Sequence, residues 1–198
     1  MALQPKRAYR MALRASAKAD TERRILEAAE RFFLEAPYPE VRLEDIAAAA
    51  GVSAPTVIHR FGSKEALAAA AARSGAERVR QQRSQAPVGD LAGTISNLIE
   101  HYELWGDSVG HLLSQEAAVP VIREITDAGR ALHVDWVEHT FAQWLLRPRT
   151  ARRRRLAQLV ALMDVHVWKV LRRDRGLSKA ETEVAMREMV SALLEGDQ

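Results

Sequence analysis

The stretch RLEDIAAAAGVSAPTVIHRFGSKEAL, residues 42–67, decides the fold. It reads as two short helices joined by a tight turn, then the start of a third. Gly51 sits where the chain must reverse, and Ala47, four residues earlier, is small enough to let two helices cross closely. Ile46, Val52, Val57 and Phe61 supply the apolar contacts of the crossing. This is the helix-turn-helix arrangement, whose second helix enters the major groove of double-stranded DNA. An Ala-rich helix followed by Gly-Val and another helix also occurs in plain bundles, so the pattern takes its meaning from its context.

Working outward, Ile25, Ala28, Ala29, Phe32 and Phe33 recur at helical spacing and predict a helix from about Asp20 that Pro37 and Pro39 end. Ser53 is placed to cap the second helix of the motif, predicted over 54–60. Ser63 is placed to cap a long helix over 64–83, with Glu65 favoured in its first turn by the dipole. The polar run 80–90, with Pro87 and Gly89, reads as a boundary. Beyond it the spacing predicts helices over 91–105, from there to about Val119, from Pro120 through Leu146, over 150–175 and over 178–195. Gly106, Asp107 and Gly110 are expected to interrupt the first of these, and Gly176 to end the fourth. No segment alternates with period two. The expected fold is all-α, with a three-helix head over 19–67 and a helical-bundle body over 68–198. Residues 1–18, with Lys6, Arg7, Arg10, Arg14 and Lys18, read as a basic flexible arm, either a solvated tail or a reach to DNA.

The composition fits a soluble globular chain of 198 residues, 47% hydrophobic and 28% charged. No run is long and apolar enough to span a bilayer, and residues 1–18 lack the apolar core of a secretory signal. The absence of cysteine excludes disulfides, thiol catalysis and thiolate metal sites, and suits a cytoplasmic protein. Net charge is only +3, but residues 1–83 carry 15 Lys+Arg against 10 Asp+Glu, while residues 84–198 carry 14 against 16. The basic excess lies in the half that holds the motif, as a nucleic-acid-binding module requires.

The second helix of the motif, APTVIHR, is short, with a polar exposed face. Thr56 offers a hydrogen bond to a base edge or a phosphate, and Pro55 and Ile58 offer apolar contact to a thymine methyl. Ser53, Ala54 and His59 flank them, and Arg42, Arg60 and Lys64 supply positive charge for phosphates. Phosphate contacts set register and the few base contacts specify sequence.

The blocks RILEAAERFF (24–33), VRLEDIAAAAGVS (41–53), Thr56 and FGSKEAL (61–67) agree in order and spacing with the head of TetR-type transcriptional regulators, which this segment resembles. The resemblance implies a three-helix DNA-binding head, a fourth connecting helix, and an all-helical body that binds a small-molecule effector and forms a homodimer. The implied activity is regulation of transcription, most often repression at a palindromic operator relieved by the effector. The chain departs from the pattern at Arg42, where the family often has Thr or Ser, and at Ala54 and Pro55, where it often has a basic residue and Gly. It also has Ile58 where a phosphate-contacting Tyr is typical, which puts that contact in question and leaves Arg42, His59 or Arg60 to replace it.

In the body, Leu156, Leu159, Val160, Met163 and Val167 make one apolar face of the helix over 150–175, and Leu162 and Val165 make another. Met186, Met189, Val190 and Leu193 mark the last helix in the same way. Helices apolar on two sides are buried from two sides. The expectation is that Leu156, Leu159, Val160, Met163, Val167, Met186, Met189, Val190 and Leu193 meet a second copy of the chain, a thick monomeric core being the other reading. Tyr102, Trp105, Trp136, Trp144 and Trp168, with His101, His111 and Asp164, are the candidate lining of an effector pocket, since such sites are apolar with a few polar groups. The same aromatics at helical spacing also serve as core. His133 and His139 are six apart around Asp135, so they share no metal-binding face. With no HExxH, GxSxG or phosphate loop, no metal, cofactor or catalytic residue is expected and the chain is not read as an enzyme. The run Arg147, Arg149, Arg152–Arg155 stands at a helix start, where the dipole disfavours cations, and has no explanation in the sequence.

Overall fold

Every regular element of the described residues (4–86, 89–145 and 148–196) in this computed structural model is helical. The contacts divide the chain into two units, one ending at Gly75 and the other beginning at Ala76.

The first unit opens with α1, Gln4–Glu35. The helix begins well before the predicted start near Asp20, because residues 4–19 are almost all good helix formers and their one proline lies in the first turn, where it is tolerated. Salt bridges from Arg23 to Asp20 (2.6 Å) and Glu27 (2.9 Å) brace its exposed face. After a 3-10 turn, Tyr38–Glu40, come α2, Leu43–Ala49, and α3, Ala54–Phe61. Gly51 turns between them in the left-handed region, at φ +66°. Gly62 ends α3 at φ +84°. The core here mixes small and large side chains: Ala28, Ala29, Ala47, Ala50, Ala68 and Ala71 are buried beside Ile25, Phe33, Tyr38, Val41, Ile46, Val57 and Leu67. Phe61 and Val52 are only half-buried. The next helix, α4, runs Lys64–Arg83, starts under a hydrogen bond from the Ala66 N–H to the Ser63 hydroxyl (3.1 Å), and crosses the division between the units.

The second unit continues with α5, Leu91–Gln115, and α6, Pro120–Thr140, which ends before the predicted Leu146 and passes into a 3-10 turn, Ala142–Leu145. Then follow α7, Arg149–Leu162, a short α8, Val165–Lys169, a π turn, Val170–Asp174, and α9, Lys179–Glu195. Two expectations about breaks fail in opposite senses. α5 passes unbroken through Gly106, Asp107 and Gly110. Gly106 is there for close approach, since a Cβ would stand 2.3 Å from Cζ3 of Trp168. Conversely, the helix predicted over 150–175 breaks at Met163 and Asp164. The Asp164 carboxylate accepts from the His166 N–H (2.9 Å), starting a new helix, and the freed Met163 carbonyl accepts from the buried Tyr102 hydroxyl (2.8 Å).

Trp168, Phe141, Leu145, Ile95, Leu98 and Ile99 anchor the core of this unit. It also takes up Leu159, Met163, Met186 and Val190, each 0% exposed within a single chain. This corrects their assignment to a partner interface, since a side chain with no exposed surface in one chain cannot meet a second. Leu156, Val160, Val167, Met189 and Leu193 remain half-buried. The arginine run also finds partners. Arg152 pairs with Glu138 of α6 at 2.7 Å, and the buried Arg155 donates to the Leu193 carbonyl in the last turn of α9, where a cation suits the dipole. Arg147 lies outside the described residues.

Gly106→Ala should lower stability by about 2 kcal/mol, since neither α5 nor the fully buried indole can yield. Gly110→Ala, with open space around its Cβ, should raise it by about 0.5–1 kcal/mol. Urea unfolding of the two variants measures both, and a loss at both positions would refute the packing argument.

Candidate nucleic-acid interface and buried polar cluster

In the head, α2 and α3 pack around Ile46, Ala47 and Val57, which turns the rest of α3 outward. Pro55, Ile58 and His59 are exposed, and Ile58 is 49% exposed despite being wholly apolar. Ala54 and Thr56 are half-buried, and Ser53 holds the position before the helix. The Ser53 hydroxyl meets the Thr56 hydroxyl at 2.9 Å instead of capping a backbone N–H. Arg42 is exposed before α2, with Glu44 at 3.8 Å as its loose partner. Six of these residues lie at the start of α3 and along it, whereas Arg42 precedes α2.

Arg60 and Lys64 are differently placed. Arg60 donates to the Lys18 carbonyl of α1 (3.3 Å). Lys64 reaches the Tyr38 carbonyl and lies over the Tyr38 ring, its Nζ 4.4 Å from the centroid. Burial lowers its pKa, with Glu65 opposing. Both cations tie the motif to neighbouring elements. Arg24 does the same unforeseen by the pattern: its guanidinium donates to the Ala50 carbonyl at the end of α2 (2.5 Å) and closes over Gly51.

In the body, the structure joins some of the candidate pocket residues around a residue the sequence reading passed over. Arg83, the last residue of α4, is 5% exposed. Its guanidinium meets His133 Nδ1 at 3.0 Å and lies 4.8 Å from the centroid of Trp136 and 6.0 Å from that of Tyr102. His101 packs on Tyr102, and Tyr102 on Trp168. Because arginine only donates, His133 Nδ1 must accept, so the ring proton sits on Nε2 and points to the Val160 carbonyl (3.3 Å). Burial, then the Arg83 charge, pushes His133 down to about 4 and His101 down to about 3, with the His133 charge also acting on His101. Burial pushes the Tyr102 hydroxyl up to about 12. At neutral pH the cluster therefore holds one cation among neutral groups.

The remaining candidates lie apart from it. Among the described residues, Trp105 and His111 make no ring or hydrogen-bond contact with the cluster, and Trp105 is 38% exposed. Trp144 packs on Phe141, and Asp164 is taken up by His166, 2.6 Å from its Nδ1. Trp168 fills the core against Gly106 and donates its indole N–H to Glu103 (3.1 Å). Burial raises the Glu103 pKa, but hydrogen bonds from Arg172 and Trp168 outweigh it and hold the carboxyl below the usual range. Arg83 was missed because it sits among Arg80, Gln81, Gln82 and Ser84, a run that reads as solvated. Nothing local marks it as buried.

Residues 25–71 match a family described as bacterial regulatory proteins, tetR family. A TetR-family transcriptional regulator from Streptomyces coelicolor shares the fold at a TM-score of 0.70 and 19% identity, over 88% of this chain and 80% of that one. AibR, solved with isovaleryl coenzyme A and operator DNA, matches at 0.61 and 23% identity, over 85% of this chain and 97% of its own. A transcriptional regulator from Saccharomonospora viridis, solved with choline, matches at 0.59 and 21% identity, over 87% and 96%. No curated protein matches the chain.

The neutral histidines set a pH dependence. Folding holds both well below their unfolded value near 6.5, so the unfolded chain binds more protons as pH falls beneath that value. Stability is full above it and declines as pH falls toward the folded values of about 4 and about 3. Between pH 7 and 5 the loss should be roughly 1–2 kcal/mol per histidine. Denaturant midpoints across that range should fall in the native chain and fall less in His133→Gln.

Proposed function

We propose, on the match of residues 25–71 to the tetR family of bacterial regulatory proteins, that the chain is a DNA-binding transcriptional regulator that responds to a small-molecule effector. The observation that carries this reading is the outward face of α3. A helix-turn-helix whose second helix presents Pro55, Ile58 and His59 to solvent has a surface ready for the major groove. An exposed isoleucine there gains nothing in water and gains contact with a thymine methyl. Ser53, Ala54 and Thr56 add polar and backbone contacts at the head of the same helix, and Arg42, before α2, adds a charge for phosphate. Arg60 and Lys64 act mainly by holding the motif in shape, with spare N–H donors for phosphate.

The reading extends to a homodimer, since one protein two-fold meets one palindromic operator and sets its half-site spacing. Leu156, Val160, Val167, Met189 and Leu193, half-buried on α7, α8 and α9, are the residues for that contact. Regulation is repression relieved by the effector, which must bind the DNA-incompetent state more tightly than the competent one. The body holds the effector, and no catalysis is assigned to it. No helix among the described residues is long and apolar enough to cross a membrane, and the proposed site of action is the cytoplasm, where the DNA is.

Two measurements test this. Purified protein mixed with DNA from beside its own gene, against scrambled competitor, should bind selectively, with affinity falling steeply as salt rises. Weak, unselective binding would leave a helical module that is no regulator. Within that assay, Ile58→Ala should cost about 1–3 kcal/mol of operator affinity while leaving the melting temperature unchanged. Arg42→Ala should lessen the salt slope by about 1. If Ile58→Ala binds as the native chain does, α3 is not the reading helix.

A further inference from the structure

A buried arginine is ordinarily paired with an anion. Among the described residues no carboxylate pairs with Arg83; its partners are an imidazole nitrogen, a hydroxyl and two aromatic faces, all neutral. Its Nε is buried and has no hydrogen-bond partner. Moving a guanidinium out of water is strongly unfavourable unless a counter-charge replaces the lost hydration. Asp164, whose charge acts on His133 and Tyr102, is occupied in capping α8 and binding His166. Such an uncompensated charge is kept where a ligand supplies the missing partner.

We propose that the effector is a small molecule bearing a single carboxylate, bound by the free edge of the Arg83 guanidinium between Trp136 and Tyr102. This rests on the proposed regulator reading and names the chemistry of its ligand. The planar fork of arginine, with Nε unpartnered, matches the two oxygens of a carboxylate. One negative charge balances the one positive charge, whereas a phosphate dianion would leave an excess beside the indole and phenol rings. The cover that must move is Trp136. Its side chain is half-buried, and it is held to the Arg83 carbonyl by a hydrogen bond of 3.4 Å, at the weak end of the range. The aromatic walls favour an apolar tail behind the carboxylate.

The test uses the full-length protein and a series of straight-chain carboxylates from acetate to dodecanoate, with the primary amide of each length and inorganic phosphate. At least one carboxylate should raise the melting temperature saturably, and its amide should bind at least about tenfold more weakly. The bound carboxylate should also raise the pH at which His133 titrates by NMR, because it neutralises the Arg83 charge that depresses it. Arg83→Gln, which keeps N–H donors for His133 without the charge, should fold with a melting temperature at or above the native value and lose the response. Arg83→Lys should retain a weakened one. The proposal is overturned if no carboxylate shifts the native chain, if amides bind as well, if only phosphate binds, or if Arg83→Gln still responds. It is also overturned if that variant melts several degrees lower, which would make Arg83 a structural brace. Operator binding by the same preparation is scored separately. Selective DNA binding without a carboxylate response rejects the anion site alone, and a carboxylate response without selective DNA binding rejects the regulator reading.

Discussion

The C-terminal unit depends on one contact, the indole of Trp168 lying against the bare backbone of α5 at Gly106. A large flat ring can pack there only if α5 carries no side chain at that position, and only if α8 is turned so that Trp168 faces inward. The break at Met163 and Asp164 supplies that turn. It also releases the carbonyl that accepts the Tyr102 hydroxyl, so α5 is tied to the break at two points, by packing and by a hydrogen bond. Glu103 fastens the outer edge of the same contact, taking the indole N–H and the Arg172 guanidinium, and Asp107 takes Arg173.

Where local rules govern, the sequence was legible. The turn at Gly51, the extent of α4 and the start of α9 at Ser178 follow from residues within a few positions of each event, and at that last start Ser178 and Glu181 form a capping box. The failures are at positions decided by partners far along the chain. Gly106 looks like a helix breaker until Trp168, sixty-two residues on, is placed against it. Asp164 reads as one polar residue within an apolar helix, though it is the reason that helix ends. The apolar faces of α7 and α9 were drawn as straight stripes, but the break rotates them, and four residues assigned to a partner are enclosed at home. Arg83 is the extreme case, since its burial has no local signature.

Basic side chains have a structural part that charge counting hides. Arg24 closes the end of α2 on the Ala50 carbonyl, Lys64 takes the Tyr38 carbonyl, Arg60 that of Lys18, and Arg155 that of Leu193. Each answers a backbone oxygen with a donor and a positive charge. Part of the basic excess of the N-terminal half is therefore committed inward, and the charge left for an outside partner is smaller than composition implies.

The six alanines in the core of the head have a consequence for how this protein can vary. A core is usually damaged by truncation, and the body conforms, since Trp168, Phe141 or Leu145 cut back would leave large holes. At Ala28, Ala29, Ala47, Ala50, Ala68 and Ala71 there is almost nothing to remove. Most single substitutions at those positions enlarge the side chain and push closely crossed helices apart. The head is thus open to damage by gain of volume at its alanines as well as by loss at Ile25, Ile46 and Leu67, whereas the body fails mainly by loss. Variation tolerated in the head should accordingly concentrate outside that core.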